Sequence, residues 1–264
     1  MPTSSLCTVV KVGRVLELYT REQPEWGVRE IAMALSIPKS NAHSLLSTLA
    51  ATGLLKRTPR GRYRLGWRLL RLSRVLMEST DVRREARWWM AELMTQLGET
   101  VHLAALEGGR VVYIDKLVGT RAVRVDVTNV GIELPAHCSG VGKVLLADEP
   151  WASVVDIVNT HGLHPYTPNT ITTLDELQSE LERVRKRGYA YDIEEVVEEL
   201  CCIAAPVRDL TGRVVAAMSI SVPMYRFKES RERYRRFLLE ATRGVSERLG
   251  FEEEREVSWH ATVR

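Results

Sequence analysis

The stretch from Gly27 to Thr52, GVREIAMALSIPKSNAHSLLSTLAAT, constrains this chain most, because it has the form of a helix-turn-helix. Val28 to Leu35 reads as a short helix with Ile31, Ala32 and Leu35 on one face. Ser36 and Ile37 make the turn, and Pro38 falls at the expected first position of the next helix, where a missing N–H costs least. That helix is expected to run for about four turns to Thr52, with Gly53 ending it. On a helical wheel Ala42, Leu45, Leu46 and Leu49 share the sector that must be buried, and Ser40, His43, Ser44 and Ser47 fall opposite. Small hydrogen-bonding groups on an exposed helix face permit close approach to the floor of a DNA major groove.

The flanking sequence completes a winged domain. Val9 to Tyr19 reads as a preceding helix, with Val9, Val12, Leu16 and Tyr19 at helical spacing against the other two. After Gly53, LLKRTPRGRYRLG places two short extended pieces around Thr58, Pro59, Arg60 and Gly61, a turn-rich tetrad suited to a hairpin. Arg57, Arg60, Arg62 and Arg64 lie on or beside it, matching contacts to phosphates or the minor groove, although exposed hairpins are often basic for solubility alone. Charge follows the same division. Residues 1–80 hold 3 Lys and 10 Arg against 5 Glu, a surplus of 8, so with an overall charge of +3 the remainder carries −5. A basic first third on an acidic remainder suggests that one end meets a polyanion.

From Leu65 a narrow stripe of Leu65, Leu69, Leu72 and Leu76 marks a connecting helix, suited either to pairing with the same helix of a second subunit or to ordinary core packing. Asp81 to Leu97 is a further helix capped by Asp81. ETVHLAALE and RVVYIDKLV flank Gly108 and Gly109 as a hairpin, RAVRVDV follows as a third strand, and the loop PAHCSGVG, Pro135 to Gly142, leads into a helix. Backbone amides at that helix start attract an anion. Trp151 to Thr160 and Leu174 to Arg187 are helices, GYAYDIEE begins an extended piece, and Cys201–Arg208 and Arg213–Val222 form a second hairpin. Arg226 to Leu249 closes the region as a helix with Phe227, Tyr234, Leu238, Ala241, Val245 and Leu249 on one side.

Composition excludes several classes. With 264 residues, 45% hydrophobic and 27% charged, the chain has room for two folded domains and shows no disorder signature. No apolar run reaches the ~18 residues of a membrane span, and Met1 to Arg14 lacks a signal-peptide core, so a cytoplasmic protein without membrane contact is expected. Four cysteines, two adjacent at Cys201 and Cys202, do not make a disulfide framework. His137, Cys138, Cys201 and Cys202 invite a zinc or redox reading, but neighbouring strand residues point to opposite sides and no paired ligand spacing occurs. Neither a metal nor a cofactor is expected. Cys202 as a nucleophile with His137 as base stands as an enzymatic alternative without a visible activating group.

SIPKSNAHSLLSTLAATGLL with YRLGWRLL, then ETVHLAALEGGRVVYIDKL, LPAHCSGVGKVLLA, RKRGYAYDIEE and CCIAAPVRDLTGRVVAAMSIS, resemble in order the blocks of the IclR family of bacterial transcriptional regulators. Ser36, Asn41 and Ser44 stand where such proteins usually have Gly, Thr and Arg, and Glu199 where they commonly have Gly. The resemblance implies a winged helix-turn-helix over 1–65, a linker helix over 66–80, a GAF-like α+β effector and oligomerisation domain over 81–250, and a tail over 251–264. It implies a homodimer or dimer of dimers on a palindromic operator, with Ser40, Asn41, His43, Ser44 and Ser47 near bases and Lys39 with the wing arginines on phosphates. It implies an effector, a small organic or aromatic metabolite, held by Val123, Asp126, Gly140, Val141, Asp192, Leu200, Cys202, Ser219 and Ser221. Ser219 and Ser221, two apart on a strand, present both hydroxyls to one side, where they serve a ligand or merely fill a tight interface. A constitutive DNA-binding protein whose second domain only oligomerises remains the competing binding reading.

Overall fold

Three helices close around a small apolar centre at the start of the chain. The computed structural model describes residues 6–79, 81–121 and 128–252, in two compact units that divide between Ser79 and Thr80. In the first, helices α1 (Cys7–Glu17), α2 (Val28–Ala34) and α3 (Lys39–Ala51) bury Val15, Ile31, Leu35, Ala42, Leu46 and Leu49. Of the expected stripe on α1, Val12, Leu16 and Tyr19 pack against the core half-buried, Val9 is 62% exposed, and Val15 beside them takes the fully buried position. Leu45 on α3 is half-buried. Pro38 precedes α3 as its cap, with φ −56° and extended ψ 144°, and is not its first helical residue. The turn needs this: Ser36 turns the chain with φ +53°, and an extended Pro38 then aims Lys39 into the new helix.

The hairpin pairs β1 (Leu55–Arg57) with β2 (Tyr63–Leu65), Leu55 opposite Leu65 and Arg57 opposite Tyr63. Trp26 extends the ladder, exchanging backbone hydrogen bonds of 2.9 and 2.8 Å with Tyr63, whose ring is buried. Arg62 binds the wing to α2 from the other side. Its guanidinium donates to both Glu30 oxygens at 2.9 and 2.8 Å and to the Glu25 carbonyl at 2.8 Å. Leu65 therefore ends a strand and does not begin a helix; α4 (Arg68–Ser79) starts after Gly66, whose amide donates to the Leu54 carbonyl at 2.8 Å. A side chain at Gly66 would lie 2.1 Å from the Gly53 oxygen, so only glycine fits this close approach. No residue of α4 is buried, and Leu70, Leu72 and Val75 stand 63%, 45% and 59% exposed.

The second unit is an antiparallel sheet between two layers of helix. Helix α5 (Asp81–Leu97) leads into β3 (Thr100–Glu107), β4 (Arg110–Leu117) and a short β5 (Glu133–Pro135), then α6 (Gly140–Asp148), α7 (Trp151–His161) and α8 (Leu174–Arg187). Strands β6 (Ala190–Ile193), β7 (Leu200–Arg208) and β8 (Val214–Pro223) and helix α9 (Met224–Arg248) complete it. The sheet order is β5-β4-β3-β8-β7-β6. Gly108 and Gly109, with φ of +56° and +82°, make the two-residue turn expected between β3 and β4. The expected third strand, RAVRVDV, lies almost wholly outside the described residues. Strand β5 was not foreseen, and the loop before α6 is shorter than expected, because Gly140 already belongs to the helix and the Ser139 hydroxyl caps it by accepting from the Gly142 amide at 3.1 Å.

Alternation along β7 and β8 sorts the interior. Cys201, Ile203, Ala205, Met218, Ile220 and Val222 face α5 and α9, where Met90, Leu93, Phe227, Leu238 and Val245 meet them. Ala204 and Ala217 face the opposite layer with Val141, Val144 and Leu145 of α6 and Leu177 and Leu181 of α8. Small side chains let α6 lie close. At Gly140 a Cβ would already be 3.3 Å from that of Ala204, and at Gly142 it would collide with the Ala136 backbone at 2.1 Å.

Two non-glycine residues hold left-handed backbone at positions where the resembling proteins have Gly: Ser36 at φ +53° and Glu199 at φ +61°. Ser36→Gly and Glu199→Gly should each stabilise the protein by about 0.5–1 kcal/mol in denaturant titrations, because glycine adopts this region without Cβ strain.

Candidate functional site

On α3, Lys39, Ser40, Asn41, His43 and Ser44 are exposed together on the face away from Ala42, Leu46 and Leu49. Ser47, grouped with them in the sequence, is half-buried, its hydroxyl 3.5 Å from that of Tyr63 on the wing. Arg57, Arg60 and Arg64 are exposed on the hairpin. Arg62 departs from its expected role. Glu30 holds it from both oxygens, and that pairing raises the arginine and lowers the glutamate pKa, so its charge serves as a strut between wing and α2.

In the second unit the sheet and the start of α6 line a narrow cavity of about 30 Å³. Gly140, Val141, Asp192, Leu200, Cys202, Ser219 and Ser221 all line it, so seven of the nine residues named from the sequence converge. Val123 and Asp126 lie outside the described residues. Register explains the convergence: Cys202 is opposite Ser221 and also opposite Asp192 on the other neighbouring strand, while Ser219 faces His102 on β3. Glu199 is exposed and lies outside the lining.

Hydrogen bonds link the wall. Cys202 Sγ and Ser221 Oγ lie 3.1 Å apart, Ser221 Oγ is 3.4 Å from His102 Nδ1, and His102 Nε2 is 2.9 Å from Thr128 Oγ1. Burial, and then the charge of Lys116, push His102 down to about 3, so the imidazole is neutral. Burial holds the Cys202 thiol well above its usual range, with nearby Asp192 adding to the effect; it is a hydrogen-bonding group and not a nucleophile. His137 is elsewhere, its ring 3.1 Å from the His164 carbonyl, so the nucleophile-and-base alternative has no pair to support it. Cys201 points into the opposite core against Met224, as alternation requires. No cluster of three metal-capable side chains occurs among the described residues.

Asp192 is the exception in this neutral wall. It is 5% exposed and accepts from the Glu195 amide at 2.8 Å, while burial first and the Glu195 charge second raise it to about 7. Glu195 is itself buried and paired with Lys143 of α6, which is 1% exposed; burial raises its carboxyl and Lys143 pulls it back. The bend carrying Glu195 is held from outside by Thr167 and Thr170, whose hydroxyls donate to the Glu194 and Glu195 carbonyls at 2.6 Å each.

A family model described as the IclR helix-turn-helix domain matches residues 8–59, and one described as the bacterial transcriptional regulator IclR C-terminal domain matches residues 75–247. The chain belongs to the IclR family of bacterial transcriptional regulators. It is 32% identical to the HTH-type transcriptional regulator XynR of Escherichia coli over 92% of this chain and 97% of that one. It is 35% identical to the HTH-type transcriptional repressor AllR of Salmonella typhi over 82% of this chain and 80% of that one. An IclR homologue from Microbacterium hydrocarbonoxydans, solved with 4-hydroxybenzoate, superposes with a TM-score of 0.78 at 28% identity, covering 92% of this chain and 98% of its own. As an IclR-family protein this chain is a ligand-responsive DNA-binding regulator and not an enzyme.

Tyr113, Thr128, Leu134, Ser139, Val196 and Val197 also line the cavity of this IclR-family chain and went unnamed in the sequence, as did His102 behind Ser221. Ser139 carried a signal, standing just before the glycine-rich helix start. Val196 and Val197 carried none, because a bend between strands has no periodicity to read.

Because Asp192 has a higher pKa folded than unfolded, the native state binds the proton more tightly and stability falls as pH rises from about 4 to about 7. Asp192→Asn removes this term and preserves the acceptor. Its gain over the parent protein in urea titrations should grow between pH 5 and pH 8 to about 2–3 kcal/mol.

Proposed function

We propose that this protein is a cytoplasmic, homo-oligomeric regulator that binds a palindromic operator and releases or tightens its grip when a small organic or aromatic metabolite fills the cavity of the second unit. The observation that carries the effector reading is the convergence of Gly140, Val141, Asp192, Leu200, Cys202, Ser219 and Ser221 on one cavity. Neutral polar groups line one side, Val141, Leu134, Val196, Val197 and Leu200 supply apolar wall, and the amides at the start of α6 suit a carboxylate or another electron-rich group. The solved relative with 4-hydroxybenzoate makes small aromatic acids the first compounds to try. No helix among the described residues is long and apolar enough to cross a membrane, in keeping with a protein that meets DNA.

On the DNA side, Ser40, Asn41, His43 and Ser44 read bases, with Ser47 at their edge, and Lys39, Arg57, Arg60 and Arg64 hold phosphates. With no arginine on its exposed face, α3 relies on short side chains for discrimination, and most affinity comes from the wing. The exposed apolar face of α4 suits the same helix of a second subunit, which fixes the separation of two half-sites.

The test is binding of the full chain to its own upstream DNA at two salt concentrations, with and without 4-hydroxybenzoate and a panel of small organic acids. Specific binding should weaken steeply with salt and change with at least one compound. Arg60→Ala should weaken every sequence alike and lower the salt slope by about 1, whereas binding with an unchanged slope refutes the phosphate contact.

A further inference from the structure

Strand β4 changes face inside its own length. Tyr113 is opposite Ala104 and lines the cavity, yet Asp115 is opposite Leu103, because a bulge inserts Ile114 between them. In a regular strand residues 113 and 115 would point to one side. Here Asp115 points to the other, under α5. Its side chain is 3% exposed and accepts from Arg87 Nη1 at 2.9 and 2.7 Å, with Arg83 Nε 3.2 Å away and the Lys116 amide donating at 2.8 Å. Arg83 and Arg87 occupy the first two turns of α5, and α5 begins at Asp81, two residues after α4 ends at Ser79 in the DNA-binding unit.

We propose that this bulge couples the cavity to α5, with Asp115 as the positioning residue that passes a displacement of Tyr113 to the segment leading into the DNA-binding unit. The inference rests on the reading of the cavity as the effector site and names how that site acts. A bulged residue lacks a ladder partner, so the strand gives there before it gives elsewhere. Tyr113 is 5% exposed and its ring centroid is 5.1 Å from that of His102, so a ligand seated against the Cys202, Ser221 and His102 wall presses on it. Two guanidinium groups on a nearly dry carboxylate are hard to part, because a severed pair leaves a buried charge unmatched. A shift at Asp115 therefore moves α5 instead of breaking the pair.

A double-mutant cycle on the full chain, read by amide hydrogen exchange over residues 82–90 and by operator affinity, tests this without any ligand. Tyr113→Ala opens the cavity wall and should raise exchange in that segment about tenfold and change operator affinity about threefold, within the usual range of coupling energies. In an Asp115→Asn background the same substitution should change either readout by less than about twofold. Tyr113→Leu repeats the cycle if the alanine variant folds poorly, and Leu177→Ala, a core truncation beneath α8, should leave residues 82–90 unchanged. Additive effects of Tyr113 and Asp115 substitutions, or an equal response to Leu177→Ala, overturn the coupling. Because no ligand enters the cycle, that failure is separate from failure of the effector reading, which the compound panel decides.

Discussion

The two-residue alternation of β7 and β8 is the constraint on which the second unit depends. One parity carries Ile203, Met218, Ile220 and Val222 into a core with α5 and α9; the other presents Cys202, Ala204, Ala217, Ser219 and Ser221 on the α6 side, with the larger Leu200 only at the end of β7. Large side chains on the second parity would hold α6 away from the sheet. Their absence, with glycine at 140 and 142, lets the helix start approach, and the space left where Ala204 and Ala217 give way to Cys202, Ser219 and Ser221 becomes the cavity. One register thus makes both the core and the site. A slip of one residue would exchange the two faces and destroy both.

The polar wall is arranged to be nearly uncharged. Desolvation keeps His102 neutral and Cys202 a thiol, and it lifts Asp192 until its proton is held near neutral pH. Two charged clusters near this region, the Lys143–Glu195 pair and Asp115 with its two arginines, are each matched within the protein. A ligand entering the cavity meets hydrogen-bonding groups of adjustable polarity, not fixed ions. The DNA-binding unit shows the opposite design, with Arg57, Arg60 and Arg64 exposed on the hairpin and Arg62 withdrawn to brace it.

Much of this was legible in the sequence. The helix-turn-helix, the wing and the glycine-centred hairpin follow from periodicity and turn residues, and Ser219 and Ser221 could be placed on one side from parity alone, whereas Cys202 joined them only through the family resemblance. What escaped detection depends on contacts distant in sequence. Arg62 looks like its neighbours until Glu30 is seen to face it, and Val9 looks like a core residue until Val15 is found on the buried side of α1. The bulge at Ile114 inverts the expected facing of Asp115, and no local pattern in RVVYIDKL announces it. Ser36 and Glu199, which departed from the resembling proteins for no visible reason, proved to sit on left-handed backbone where glycine is the easier residue.

On the proposed function, cavity and operator are thermodynamically linked. The most direct measurement is the affinity of the active compound for the full-length protein, alone and with saturating operator DNA. Operator should shift the compound's Kd by the same factor by which the compound shifts the operator's, about 5- to 150-fold for a typical regulator. Equal compound affinity in the two states would mean that the cavity does not report to the DNA-binding unit, and would contradict the linkage.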